Sequence, residues 1–252
     1  MYDIEKYYQA KDIDDAVRAL SADPDAVVIS GGSDVLIKIR EGKLAGCSLV
    51  SIHGIKELEG IRVEEDGTIA IGPATTFSHI TNNKIIQEYI PILGDAVDMA
   101  GGPQLRNIGT IGGNVCNGVT SADSASSLCC LDAVLVLKGP DGVREVPISQ
   151  WYTGPGRTVR KHEEVLVSIR IKKEDYEGFI QDIYLLLDHF NVLEITHRPE
   201  EVERIIWMKT DYIEAQQTGV WFPRIEPGMF VKKGGLIGTV KDFFGNVIGE
   251  YR

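Results

Sequence analysis

The chain is poor in cysteine, and the cysteines it has follow no regular pattern. The four are Cys47, Cys116, Cys129 and Cys130. Their spacing fits neither a disulfide framework nor a CxxC zinc site, so we interpret them as small buried residues of a reducing compartment. The sequence therefore predicts a cytoplasmic protein without a metal site.

The chain also lacks long apolar runs and a surplus of basic side chains. No stretch approaches the ~20 apolar residues that cross a bilayer, and the charged opening at residues 1–6 is unlike the apolar stretch of a signal peptide. Lys and Arg number 26 against 37 Asp and Glu, which gives a net charge of −11. Because phosphate backbones attract a basic surplus, neither a nucleic acid nor a membrane is an expected partner.

The 252 residues exceed one typical domain of ~100–200 residues and divide into a body and a tail. Alternating and helical apolar patterns predict an α+β body over residues 1–175, with the charged stretch 172–175 as its boundary. Residues 176–203 are expected to form a helix and a linker. Short apolar runs between glycine turns predict a small all-β module over residues 204–252.

Two glycine-rich segments stand out, although neither has the Rossmann pattern GxGxxG or the Walker pattern GxxxxGK[ST]. Ser30–Asp34 (SGGSD) follows the short apolar run Ala26–Ile29, and Thr110–Asn114 (TIGGN) is the second segment. Glycine pairs let successive backbone N–H groups turn inward and form a concave site for phosphate oxygens. Either pair alone is also compatible with an ordinary turn. Together, with their hydroxyl and amide side chains, they indicate a bipartite phosphate-binding protein.

Several motifs follow one another in order across residues 1–173. They are SGGSDVL at 30–36, IGPATTF at 71–77, RNIGTIGGNVCNG at 106–118, TSADSA at 120–125, TGPG at 153–156 and EVL at 164–166. In order and spacing this set resembles the FAD-binding subunits of the molybdenum hydroxylase family, of the bacterial xanthine dehydrogenase type. The resemblance implies an α+β, two-lobed FAD-binding fold of the vanillyl-alcohol oxidase (PCMH) type. FAD would lie between a lobe at 1–55 and a lobe at 56–175.

The resemblance also assigns a set of cofactor-binding residues, which here are Ser30, Gly31, Gly32, Ser33, Asp34, Thr110, Ile111, Gly112, Gly113, Asn114, Asn117, Ser121, Asp123 and Leu166. The first loop would hold the pyrophosphate and its neighbouring hydroxyls. Asn117, Ser121 and Asp123 would reach ribityl or phosphate-side oxygens, and Leu166 would pack on the isoalloxazine. Two of these residues have plainer alternatives: Asp123 as a helix cap, and Leu166 as ordinary strand core.

The activity implied by the resemblance is that of an FAD-dependent oxidoreductase subunit. Electrons would run from a molybdenum-cofactor subunit through a 2Fe-2S iron–sulfur subunit to FAD, and then to NAD. The redox chemistry would belong to the flavin, so no catalytic side chain is expected on this chain. Its cysteines lack iron–sulfur spacing, so without partner subunits it is expected to be inactive on xanthine.

The tail follows a different pattern. From about residue 180 the chain is similar to the C-terminal, lipoyl-like β-domain of the succinylglutamate desuccinylase/aspartoacylase zinc deacylases. The segments that carry this similarity are NVL at 191–193, GVWFP at 219–223, GMFVKKG at 228–234, LIG at 236–238 and DFFGNVI at 242–248. The zinc-binding domain is absent, and His189 and His197 lie outside any ligand motif. The sequence thus indicates a join of two unrelated fragments.

Two further functions stay open at this point. The chain is also compatible with a non-catalytic fusion or scaffold protein whose nucleotide loops are vestigial. It is compatible, less well, with an accessory fragment of a zinc deacylase. A flavin absorption spectrum of the purified chain separates the first function from these two.

Overall fold

The computed structural model describes residues 2–119, 122–189, 220–223, 235–241 and 247–251. The chain divides into two compact units, Met1–Pro199 and Glu200–Arg252. The strands, in chain order, are β1 (Ile4–Gln9), β2 (Ala26–Ile29), β3 (Cys47–Ser51), β4 (Ile61–Val63), β5 (Ile69–Ile71), β6 (Val134–Gly139), β7 (Gly142–Pro147), β8 (Tyr152–Gly154), β9 (Arg157–Thr158), β10 (Val165–Ile171), β11 (Val220–Pro223), β12 (Gly238–Lys241) and β13 (Val247–Tyr251).

The helices occupy the connections between these strands. They are α1 (Ile13–Ala22), α2 (Val35–Arg40), α3 (Phe77–Thr81), α4 (Lys84–Tyr89), α5 (Pro91–Asp98), α6 (Pro103–Ile108), α7 (Ile111–Cys116), α8 (Ala125–Cys130) and α9 (Lys173–His189). Local sequence explains where several begin. The Asp12 carboxylate accepts from the Asp15 amide and caps α1. Pro91 lies in the first turn of α5, where its missing N–H leaves no hydrogen bond unmade.

The first sheet has the order β1-β3-β2, with both pairs parallel. Its central strand β3 is buried along its whole length, as expected for a strand covered on both faces. Helix α1 is the crossover between β1 and β2, and Val17 and Leu20 form part of its buried stripe. The carboxyl ends of β2 and β3 therefore lie side by side, at Ile29 and Ser51.

The second sheet has the order β4-β5-β10-β6-β7 and is antiparallel throughout. The central strand β10 pairs with β5 on one side and with β6 on the other. The sheet and helices α3 to α8 enclose the largest hydrophobic cluster, in which Trp151, Leu135 and Ile169 are fully buried. Burial of this cluster is the main source of stability for the first unit.

The end of the body differs from the sequence prediction. The charged stretch at 172–175 was expected to mark a boundary, but α9 begins at Lys173 and continues to His189. Glu174 and Asp175 fall in its first turn, where acidic side chains complement the helix dipole. A charged run thus starts a helix here, and the expected division at residue 175 falls inside that helix.

The second unit contains an antiparallel sheet of order β11-β12-β13. Val240 on its central strand is buried. The tail segments at 191–193 and 228–234, together with His197, lie outside the described residues. None of the helices within the described ranges is long and apolar enough to cross a bilayer.

Candidate functional site

A cleft of about 730 Å³ opens in the first unit where β2 and β3 end. The residues that line it come from the first sheet, from the segments that follow its strands, and from the neighbourhood of α3, α6 and α7. They are Tyr7, Ile29, Ser30, Gly31, Gly32, Leu36, Ser51, His53, Lys56, Glu59, Gly60, Ala74, Thr75, Thr76, His79, Ile108 and Thr110. Of the sequence-predicted site residues, the cleft thus collects Ser30, Gly31, Gly32 and Thr110.

The first glycine loop presents unbonded polar groups. Within the described part of the chain, the N–H groups of Gly31, Gly32 and Ser33 donate to no protein acceptor. The Ser30 Oγ is buried and likewise has no partner among the described residues. Buried polar groups are normally paired, so these atoms are available to a ligand in the cleft.

Glycine is required twice in this loop, for different reasons. Gly32 has φ +75°, a left-handed conformation that side chains with a Cβ rarely adopt. At Gly31 a Cβ would lie 1.8 Å from the Ile108 carbonyl oxygen, so the two backbones are in direct contact. That contact joins the first loop to the end of α6, in the segment that precedes the second loop.

The second glycine loop has its amides already bonded. The Ile111 N–H donates to the Thr75 carbonyl at 3.1 Å and the Gly112 N–H to the Pro73 carbonyl at 2.8 Å. The Gly113 N–H donates to Thr110 Oγ1, which caps α7. The sequence predicts an open phosphate-binding nest here, but the N–H groups that would form it are already bonded within the protein.

The two glycines of this loop are not equivalent. A Cβ at Gly112 would lie 2.5 Å from the Pro73 Cβ, so this position must be glycine for backbone packing. Gly113 is exposed, and a Cβ there would meet only the Thr110 hydroxyl at 3.1 Å. Ile111 is fully buried. Of this loop, Thr110 lines the cleft, while Gly113 is exposed but is not among the cleft-lining residues.

A lysine that the sequence analysis did not select connects the two loops. Lys38 Nζ lies 2.6 Å from Asp34 Oδ2 and donates to Asn117 Oδ1 at 3.0 Å. Asp34 ends the first loop, and Asn117 follows α7. The signal in the sequence was the i, i+4 spacing of Asp34 and Lys38 at the start of a helix.

The remaining predicted residues lie in several places. Asn114 Oδ1 accepts from the Ser124 hydroxyl at 2.7 Å, and Asn114 Nδ2 donates to the exposed Asp123 carboxylate at 3.2 Å. Asp123 does not cap α8, since the residue at the cap is Ser124. Leu166 is buried in the main core, as in its plainer alternative. Ser121 lies outside the described residues.

Burial disfavours ionisation of the thiol next to the second loop. Burial raises the pKa of Cys116 to about 11, so at neutral pH it is a protonated, apolar-like group. Burial likewise raises the pKa of the neighbouring Tyr152 hydroxyl to about 12. Cys116 and Tyr152 both pack against the main hydrophobic cluster, on the side of α7.

Tyr7, His53, Lys56 and His79 also line the cleft and were missed by the sequence analysis. They come from β1, from the segment after β3 and from α3, and each stands alone in its stretch of sequence. Only the fold brings them together. Free backbone amides on the wall of a cleft are typical of sites that bind the phosphates of a nucleotide. The fold and site thus define a nucleotide-binding α+β protein.

Comparison with known proteins narrows this class. Residues 2–172 match the family described as FAD binding domain in molybdopterin dehydrogenase. The chain belongs to this family, and FAD is its cofactor. The predicted resemblance of residues 1–173 is confirmed.

Individual relatives agree with the family assignment. The chain is 41% identical over 197 residues to the xanthine dehydrogenase FAD-binding subunit of Escherichia coli O157:H7, covering 77% of this chain and 68% of that protein. It is 33% identical to the nicotinate dehydrogenase FAD-subunit of Eubacterium barkeri, covering 68% and 59%. Among solved structures, a carbon monoxide dehydrogenase chain of Hydrogenophaga pseudoflava superposes with a TM-score of 0.66 at 32% identity, covering 68% and 60%. The α+β fold class is thereby confirmed, and the chain spans only part of each relative.

The described residues fit the cofactor. The unpartnered Ser30 hydroxyl and the free N–H groups of Gly31, Gly32 and Ser33 supply hydrogen-bond donors of the kind that a pyrophosphate accepts. The missing side chains let the loop take this conformation, since Gly31 packs on the Ile108 carbonyl and Gly32 has a positive φ.

Proposed function

We propose that this chain is the FAD-carrying component of a molybdenum hydroxylase of the xanthine dehydrogenase type. In this assignment a molybdenum-cofactor subunit and a 2Fe-2S subunit are its partners, and NAD is the electron acceptor. The identity of 41% to a xanthine dehydrogenase FAD-binding subunit supports the choice of this type over the nicotinate and carbon monoxide dehydrogenases. The cysteines were expected to be buried; Cys47 is, but Cys116 is half-buried and Cys129 and Cys130 are exposed. Unpaired thiols of this kind fit a reducing, cytoplasmic compartment.

One observation carries the proposal: two consecutive glycines of the first loop, Gly31 and Gly32, line a cleft of about 730 Å³, and their N–H groups donate to no acceptor in the described part of the chain. Bound FAD would supply the redox chemistry, exchanging electrons one or two at a time. The residues of the chain bind and orient it. Gly31, Gly32 and Ser33 hold the pyrophosphate through their amides. Thr110, at the start of the second loop, lines the same cleft.

The test is a visible spectrum and an FAD titration of the purified chain, together with a variant at Gly113. Gly113→Val should fold, because a Cβ there meets only the Thr110 hydroxyl. It should lose most of its flavin, because the added methyl groups cover the exposed face of the second loop. Gly178→Ala is the matched control, since a Cβ at Gly178 meets nothing within 4 Å.

Three outcomes are informative. Flavin bands in the wild type and Gly178→Ala, with loss in Gly113→Val, support the proposal. A wild-type chain that takes up no FAD contradicts it and favours the scaffold alternative. Xanthine-dependent reduction of NAD by the pure chain, without added partners, contradicts the assignment of the molybdenum and iron–sulfur centres to other subunits.

A further inference from the structure

The position of Asp34 creates an electrostatic problem for an anionic ligand. Asp34 directly follows Ser33, the last of the three residues whose free amides are proposed to bind the phosphates. Asp34 does not itself line the cleft, but it is the second residue after Gly32, so its carboxylate would repel a pyrophosphate bound at Gly31 and Gly32. Two like charges a few ångströms apart repel each other strongly unless a counter-charge is close to one of them.

Lys38 supplies that counter-charge. Its Nζ lies 2.6 Å from Asp34 Oδ2, one helical turn away, with side-chain exposures of 37% for Lys38 and 42% for Asp34. The same ammonium group donates to Asn117 Oδ1 at 3.0 Å, in a partly buried contact. The hydrogen bond to Asn117 holds the ammonium group between Asp34 and the end of α7. A lysine paired only with Asp34 could instead turn its ammonium group into solvent.

We propose that Lys38 is a positioning residue of the cofactor site, which neutralises Asp34 so that a diphosphate can bind beside it and which ties the first loop to the end of α7 through Asn117. The proposal rests on the FAD site proposed above. As an exposed ion pair, Lys38–Asp34 adds little to stability. Its contribution is to the affinity for the charged ligand.

The experiment compares Lys38→Met with Lys43→Met by FAD titration and thermal unfolding. Lys43 is the matched control, because it forms an exposed pair with Glu41 at 2.8 Å in the same segment. We expect Lys38→Met to raise the dissociation constant of FAD about tenfold, the effect of one lost charge contact. Its unfolding temperature without FAD should match that of Lys43→Met, whose affinity for FAD stays at the wild-type value.

A second pair of variants separates charge neutralisation from a purely structural role. In Lys38→Met/Asp34→Asn the unpaired carboxylate is removed, so most of the lost affinity should return. Lys38→Arg should also retain affinity, because a guanidinium can bond to both the carboxylate and the amide. Equal affinity of Lys38→Met and the wild type, or a double variant as weak as Lys38→Met, overturns the proposal.

The design keeps the two proposals apart. If the wild type binds no FAD, the function proposed above fails before Lys38 is tested. If the wild type binds FAD and Lys38→Met binds it equally well, only the role of Lys38 fails. Should Lys38→Met fold poorly, Lys38→Gln, which keeps a donor for Asn117 but no charge, gives the same comparison and is expected to lose affinity as well.

Discussion

The two glycine loops look alike in sequence and differ in what their backbones do. In the first loop, the N–H groups of Gly31 to Ser33 donate to no acceptor in the described part of the chain, and Gly31 and Gly32 line the cleft. In the second, the N–H groups of Ile111 and Gly112 are bonded to the Thr75 and Pro73 carbonyls. Both loops also use a glycine to pack one backbone on another, Gly31 on the Ile108 carbonyl and Gly112 on Pro73. The loops therefore differ in whether their N–H groups are bonded, and the motif alone does not show this, because close backbone packing needs the absence of a Cβ in both.

The largest effect should come from Gly31→Ala. A Cβ 1.8 Å from the Ile108 carbonyl forces the first loop away from α6, and overpacking of this kind costs about 3 kcal/mol. For a unit of this size the unfolding temperature should fall by roughly 6–12 °C. Chemical and thermal unfolding measure the loss, and FAD titration should show binding abolished.

Gly178→Ala again serves as the control, since it lies in a helix with open space around it. There the substitution should leave stability unchanged or raise it by up to about 1 kcal/mol. Wild-type stability in Gly31→Ala would show that the loop and α6 are not in backbone contact.

A smaller effect is expected at the support of the second loop. Trp151 is fully buried, and its Nε1 donates to the Val115 carbonyl of α7 at 3.1 Å. Trp151→Phe removes the donor and leaves a small cavity, at a cost of about 2 kcal/mol. Because only the second loop loses its support, FAD affinity should fall less than in Gly31→Ala.

The neighbouring Tyr152→Phe is the matched control for that substitution. The Tyr152 hydroxyl is buried with no partner among the described residues, so its removal should be neutral or stabilising. If Trp151→Phe and Tyr152→Phe prove equally stable in urea titrations, the Trp151–Val115 bond contributes nothing to the second loop.

The smallest effect is a pH dependence at the strand beneath the second loop. Burial alone would raise the pKa of Glu164, but hydrogen bonds from Arg144 and from the Lys161 amide outweigh it and the net pKa is lowered. A lowered folded-state pKa gives stability that is complete above the unfolded-state value of about 4.3 and is lost as the pH falls through the folded-state value. The stability difference between wild type and Glu164→Gln should therefore be largest near neutral pH and shrink below about pH 4.

Unfolding temperatures of the two proteins between pH 3 and pH 7 measure this difference. A gap that stays constant or widens on acidification would contradict the role assigned to the Arg144–Glu164 pair. FAD content at neutral pH should be the same in both proteins, because the pair supports β10 and not the first loop.

Much of the fold was predictable because the signals were local. The Asp12 cap, Pro91 in a first turn and the alternating strand at 165–171 all follow from neighbouring residues. That the N–H groups of the second loop are already bonded was not predictable, since the carbonyl groups that accept from them, those of Pro73 and Thr75, lie far away in sequence. For the same reason the contact of Lys38 with Asn117 emerges only from the fold. The similarity of the tail to zinc deacylases stays a prediction.

The contact between Gly31 and Ile108 also couples cofactor uptake to folding. These residues belong to distant parts of the sequence, so the cleft is complete only after the first loop and the end of α6 have come together. A partly folded chain therefore offers no binding surface for the flavin. Protein-bound flavin, measured after the equally coloured free cofactor has been removed, then reports completed molecules rather than intermediates. By mass action, free cofactor at a hundred times its dissociation constant then adds about 2.7 kcal/mol to the free energy of unfolding.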